Sequence, residues 1–161
     1  MSKETSPATK TLYLVQHGEA RPKAEDPQRG LSQTGRSTVE EMAVWAAAKQ
    51  LRVERIVHSG KLRASQTAEL FAMKLQPTGG VEAREGLNPN DDVSAVADWL
   101  EDQSGPLMIV GHLPFLSRLV GKLVADDPDQ ALVLFRNAGL IVLVEEDRRW
   151  AVAAVIGPEL I

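Results

Sequence analysis

Three short apolar runs in this chain each stop at a histidine. Leu12-Tyr13-Leu14-Val15 ends in Gln16-His17-Gly18-Glu19, Ile56-Val57 ends in His58-Ser59, and Leu107-Met108-Ile109-Val110 ends in Gly111-His112. These are all 3 histidines of the protein. Short apolar runs bounded by Gly and turn residues read as buried strands, and helical patterns between them point to a parallel α/β sheet. In open sheets of that kind ligands bind beyond the carboxyl ends of the strands, so residues just past different strands converge although they are distant in sequence. His17 and His112 are the pair this arrangement singles out.

The 161 residues suit one domain that buries a core without disulfides or metal. Met1 to Lys10 is polar and is expected to be a flexible N-terminal segment, leaving 11–161 as a single domain. The apolar run after it is too short for the core of a secretory signal, so a cytoplasmic protein is expected. No apolar run nears the roughly 20 residues that span a bilayer, so no membrane partner is expected. With no cysteine, disulfides and thiolate chemistry are ruled out, and histidine becomes the leading nucleophile or metal ligand. A formal charge of -4 argues against nucleic acid as a partner, since phosphate-backbone binders concentrate basic residues on one face. Any anion site must be local.

Hydrophobic spacing places the elements. A strand over about Thr11 to Gln16 leads through a polar loop to a helix beginning near Thr34, whose Val39, Met42, Ala43 and Ala46 form one apolar stripe. A strand at Arg55 to His58 precedes a helix from Leu62 to Leu75, and a short strand near Val81 to Arg84 follows. Asp92 is read as the N-cap of a helix carrying Val93, Val96, Ala97 and Leu100. The strand Leu107 to Gly111 runs into a helix with Pro114 in its first turn, reaching about Val124. Leu140 to Val144 and Trp150 to Ile156 read as a terminal hairpin.

Four segments then occur in a telling order: Gln16-His17-Gly18-Glu19, Arg29-Gly30-Leu31-Ser32-Gln33-Thr34-Gly35, Ser59-Gly60-Lys61-Leu62-Arg63-Ala64-Ser65-Gln66-Thr67-Ala68, and Val110-Gly111-His112-Leu113-Pro114. This order resembles the histidine phosphatase superfamily, and in particular its small bacterial phosphohistidine phosphatases. The resemblance covers roughly Leu12 to Val124. It implies a phosphoglycerate mutase-like fold, a three-layer α/β/α sandwich with a mostly parallel central sheet and a C-terminal antiparallel hairpin. It also implies a metal-independent phosphatase with no cofactor, in which His17 is the nucleophile, passing through a phosphohistidine intermediate. Arg29, Arg63 and His112 would bind the phosphoryl group, with Gln16 beside them, and inorganic phosphate would be the product.

The chemistry agrees with that assignment. Neutral imidazole is a good nucleophile near its ordinary pKa of about 6.5. Phosphoryl transfer depends chiefly on positioning and on neutralising the equatorial oxygens, work suited to arginine forks and helix N-termini. The family carries arginine where this chain has Gln16, so one charge-assisted hydrogen bond is lost, and activity is expected to be reduced or specialised. Superfamily members acting on phosphomonoesters carry a glutamate acid after the third strand. Here Glu85 and Asp91 are the nearest candidates for an acid or rim group, and neither matches well. His58 is required by no motif and reads as a rim residue or as a histidine bonded to a backbone carbonyl.

A phosphoimidazole leaves as neutral imidazole and needs a dedicated acid less than an alkoxide does. The reading therefore favours a histidine-phosphorylated protein as partner, a phosphotransfer domain being the natural case by family analogy. Three alternatives stand beside it: a small-molecule phosphomonoesterase, a non-catalytic phosphate-binding regulatory module prompted by Gln16, and a zinc hydrolase using His17, His58 and His112.

Overall fold

The computed structural model describes residues 9–161, so Met1 to Ala8 of the expected flexible segment lie outside the described residues. The elements in order are β1 (Lys10–Gln16), α1 (Gln33–Ala48), β2 (Arg55–His58), α2 (Leu62–Leu75), β3 (Val81–Ala83), α3 (Val93–Glu101), β4 (Leu107–Gly111), α4 (Phe115–Ala125), β5 (Leu140–Glu146) and β6 (Arg149–Ile156), closed by a 3-10 turn at Pro158–Leu160. One sheet contains all six strands in the order β3-β2-β4-β1-β5-β6. The first four run parallel, β5 is antiparallel to β1, and β6 is antiparallel to β5. This is the α/β fold with a terminal hairpin expected from the alternation of short apolar runs and helical stripes.

Side chains alternate across the sheet, and both faces are covered, which is why the strands read as unbroken apolar runs. Tyr13, Val15, Ile56, Met108 and Val110 join Val39, Met42, Ala46 and Phe71 of α1 and α2 in one core. Leu12, Leu14, Val57, Leu107 and Ile109 join Val96, Leu116 and Leu119 of α3 and α4 in the other. Ser32 caps α1 by accepting from the Gly35 N–H, and Asp92 caps α3 by accepting from Ser94.

Two boundaries differ from the sequence reading in an instructive way. Each hairpin strand extends into the charged linker, so Glu145 pairs with Trp150 and Glu146 with Arg149 around a tight turn in which Asp147 and Arg148 hold φ of 52° and 63°. Charge masked a turn whose residues both take left-handed backbone, as two-residue hairpins require. The long polar loop between β1 and α1 is also less free than its composition suggests. Ala20 bridges Leu31, the Arg21 N–H donates to the Gly30 carbonyl at 2.8 Å, and Ser32 N–H donates to Glu19 at 2.9 Å.

Gly35 makes that loop possible, because a Cβ there would fall on the Glu19 backbone. Gly35→Ala should therefore destabilise the protein by about 1–3 kcal/mol through overpacking, read as a lower urea midpoint. An unchanged midpoint would show that the loop after His17 does not depend on this close approach.

Candidate active site

The strand order sets the site. Gln16 lies opposite Gly111 in the β1–β4 register, so His17 and His112 are the next residues past a paired position. On the other side of β4, His58 lies opposite Val110. All three histidines thus end adjacent parallel strands. The rings of His17 and His112 lie with centroids 5.1 Å apart and planes tilted by 51°.

His17 is held from several directions. Its backbone N–H donates to the Gly111 carbonyl at 3.0 Å, its own carbonyl accepts from the Asn137 amide at 2.9 Å, and the Ala138 N–H donates to the Gln16 carbonyl at 2.8 Å. Its Nδ1 lies 2.7 Å from the Gly18 carbonyl. A carbonyl only accepts, so Nδ1 carries the proton and the Nε2 lone pair is the free one. The next residue is fixed too: Gly18 N–H donates at 3.0 Å to the buried Thr67 hydroxyl, which donates to the Arg63 carbonyl at 2.8 Å. Gln66 accepts from the Leu31 N–H at 2.7 Å, tying α2 to the segment that carries Arg29.

His112 is buried, and its Nε2 lies 2.6 Å from the Ser59 hydroxyl. Burial, reinforced by the neighbouring His17 and the cations Arg63, Lys61 and Arg29, pushes its pKa down to about 3. His17 is lowered as well, by burial first, with the Gly18 hydrogen bond opposing and Arg63 and Arg29 adding to the effect. Arg63 is itself lowered by burial and by the charge of Arg29. Both imidazoles are therefore neutral bases in a cationic, partly desolvated hollow.

Four buried side-chain polar atoms among the described residues have no hydrogen-bond partner, and three belong to this motif set: Gln16 Oε1, Arg63 Nε and His112 Nδ1. Buried polar groups are ordinarily paired, so such a concentration marks groups arranged for a ligand. Arg29 sits in the loop with φ of 51° and donates from Nε to the Arg21 carbonyl at 3.3 Å. The Asp26 carboxylate shapes that loop, accepting from Gly30 at 2.8 Å and from Gln28 at 3.0 Å.

The remaining candidates lie differently. His58 is buried, and its Nδ1 accepts from the Gly60 N–H at 3.0 Å, so it bonds a backbone amide rather than the expected carbonyl. Glu85 is exposed in the turn after β3. Asp91 accepts from Asn88 at 2.9 Å and closes its own turn. Neither Glu85 nor Asp91 hydrogen-bonds to His17 or His112 among the described residues. No group of three His, Asp or Glu side chains is placed to hold a metal ion among the described residues. Sequence reasoning gave no role to Asp26, Ser59, Gln66, Thr67 or Asn137. Gln66 and Thr67 stood inside a quoted motif, and Asn137-Ala138-Gly139 carried the turn signal before β5.

Comparison with known proteins agrees with this geometry. The histidine phosphatase superfamily (branch 1) matches residues 12–89. The phosphohistidine phosphatase SixA of Escherichia coli (strain K12) is 29% identical over 117 residues, covering 70% of this chain and 73% of SixA. An uncharacterised protein of Picosynechococcus sp. is 34% identical over 140 residues, covering 82% of this chain and 83% of that protein. The structure of the protein histidine phosphatase SixA complexed with tungstate overlays with a TM-score of 0.82 at 24% identity, covering 93% of this chain and 98% of that one. Motif order, fold and sequence similarity converge, and the chain belongs to the histidine phosphatase superfamily.

Proposed function

We propose that this protein is a phosphatase that removes phosphate from phosphohistidine on a partner protein, with His17 as nucleophile. The observation that carries the proposal is the pair of neutral imidazoles with centroids 5.1 Å apart, one with its Nε2 lone pair free, beside Arg63 and within the field of Arg29. His17 Nε2 attacks phosphorus in line, and the P–N bond to the substrate ring breaks as the P–Nε2 bond forms. The electron pair goes to the departing nitrogen. With its other nitrogen protonated, the substrate ring leaves as neutral imidazole. Water then supplies hydroxyl to phosphorus and a proton to the departing phosphate, and the P–Nε2 electron pair returns to His17.

The Gly18 carbonyl has a defined part in both steps. By holding the proton on Nδ1, it presents Nε2 for attack and later lets His17 leave as neutral imidazole. Arg63, Arg29 and His112 stabilise charge on the equatorial oxygens, where preorganised donors contribute most. A phosphohistidine substrate is favoured because no carboxylate hydrogen-bonds to either imidazole among the described residues, and phosphomonoester cleavage needs an acid for its alkoxide. The 29% identity to a phosphohistidine phosphatase supports the same substrate class. A phosphotransfer domain is the proposed partner, inorganic phosphate the product, and the cytoplasm the setting. No helix among the described residues is long and apolar enough to cross a membrane.

Gln16 provides the test. Arginine in its place restores a charge-assisted hydrogen bond worth about 1.5–3 kcal/mol. Gln16→Arg should therefore raise turnover of a phosphohistidine protein by roughly ten- to a hundredfold, while the wild type still prefers it to phosphomonoesters. Faster turnover of small phosphomonoesters would establish that alternative. Phosphate binding without hydrolysis of either substrate would make the protein a regulatory module.

The lowered imidazole pKa values carry a sign. A histidine whose folded pKa lies below its unfolded value of about 6.5 adds stability above that pH and loses it as pH falls below. His17, His58 and His112 are all lowered, so the denaturation midpoint should fall progressively as pH drops below about 6.5. Inorganic phosphate should oppose this by raising the His112 pKa, which imidazole NMR reads directly. A His112 that titrates near its ordinary value in the free protein would contradict the desolvated site.

A further inference from the structure

β4 lies between β2 and β1 in the sheet, so the chain leaving its end has a neighbour on each side. Gln16 stands opposite Gly111 and His58 opposite Val110, which puts His17 on one flank of His112 and Ser59 on the other. The turn that carries Ser59 is held locally. Gly60 takes φ of 89°, a left-handed backbone that favours glycine, and its N–H donates to His58 Nδ1 at 3.0 Å. His58, which no step of the proposed reaction uses, thus braces the turn that presents Ser59 to the ring of His112.

A neutral imidazole has one N–H donor and one lone-pair acceptor, so the group that meets one nitrogen decides the role of the other. The Ser59 hydroxyl lies 2.6 Å from His112 Nε2 and accepts the Lys61 N–H at 3.3 Å. His112 Nε2 is the one acceptor that the hydroxyl proton meets among the described residues. With Nε2 accepting, the ring proton sits on Nδ1, a buried atom that has no partner. The opposite tautomer would leave two groups without use: the hydroxyl proton, and a buried Nδ1 lone pair that no anion can bond. Helix capping does not account for the hydroxyl, since its contact with the N–H of Lys61, the N-cap of α2, is the longer of the two.

We infer that Ser59 is a positioning residue that sets the tautomer of His112, making that ring a neutral Nδ1–H donor to the phosphoryl group and denying it the nucleophilic role that His17 takes. In naming a phosphoryl group, this role rests on the phosphatase reading proposed above. Both rings carry the proton on Nδ1, for different reasons: the Gly18 carbonyl accepts it on His17, whereas the Ser59 hydroxyl occupies Nε2 of His112. One ring therefore offers a lone pair and the other a proton. Two imidazoles with centroids 5.1 Å apart, under the same cations, are made unlike by one carbonyl and one hydroxyl.

Nitrogen-15 NMR of the imidazoles in the full-length protein, titrated with inorganic phosphate at neutral pH, tests this on wild type, Ser59→Ala and Ser59→Thr. Wild-type His112 should carry its proton on Nδ1 and keep Nε2 unprotonated. Ser59→Ala should move the His112 proton toward Nε2, leave the His17 tautomer unchanged and weaken phosphate binding roughly two- to tenfold, the range of one neutral hydrogen bond. Ser59→Thr keeps a hydroxyl and should restore the wild-type tautomer, and turnover of a phosphohistidine protein should fall and recover in step. A wild-type His112 protonated on Nε2, a tautomer unchanged in Ser59→Ala that circular dichroism shows to be folded, or a Ser59→Thr protein with the tautomer of Ser59→Ala would overturn the proposal. The wild-type tautomer decides the matter by itself if Ser59→Ala does not fold. A protein that hydrolyses no phosphohistidine, yet shows the Nδ1 proton and a phosphate affinity that depends on the hydroxyl, would sink the phosphatase reading and still support the role of Ser59.

Discussion

The pairing of β1 with β4 is the constraint on which the rest depends. Strands β1 and β4 are separated in sequence by two strands and three helices, yet Gln16 and Gly111 share a register position. One residue further on, the chain leaves the sheet at both strands, and the two imidazoles meet at its edge. The hydrogen bond from His17 N–H to Gly111 carries the pairing one step past the strand end. A register slip of one residue would exchange the side chains that β1 sends into the two cores and would separate the rings. The hydrophobic cores on both faces therefore enforce the geometry of the polar site.

Electrostatics then decides what the paired rings can do. Burial and the surrounding Arg63, Lys61 and Arg29 keep His112 neutral down to a pKa of about 3, and they lower His17 as well. A site that holds its bases neutral by cationic charge is organised for an anion, since the anion relieves the repulsion that the free site carries. The same field keeps Nε2 of His17 unprotonated, as the proposed nucleophile must be. Supporting groups do equal work through geometry: Thr67 and Gln66 lock α2 to the segments bearing Gly18 and Leu31, and Asp26 shapes the loop that carries Arg29.

Much of this was legible in the sequence, for identifiable reasons. The alternation of apolar runs with helical stripes located every strand and helix, because a sheet covered on both faces needs unbroken apolar strands. The ends of β5 and β6 were not legible, since Glu145, Glu146 and Arg149 look like loop residues until cross-strand pairing is seen. The convergence of His17 and His112 followed from strand ends in an α/β sheet together with motif order. The partners Ser59, Thr67 and Asn137 did not follow, because a hydroxyl or amide acting through one or two hydrogen bonds leaves no periodic trace. Glu85 and Asp91 could be named only by their place after the third strand, and neither hydrogen-bonds to the imidazole pair.

The central claim is that Nε2 of His17 becomes phosphorylated during turnover, and the direct measurement is the position of the phosphoryl group on the trapped enzyme. Rapid alkaline quenching of the wild type with a phosphohistidine protein, followed by nitrogen-15 and phosphorus-31 NMR of the labelled imidazoles, should show an acid-labile phosphoryl group on Nε2 of His17. His17→Ala should show none. A phosphoryl group on Nδ1 of His17, on His112, or still formed in His17→Ala would contradict the account.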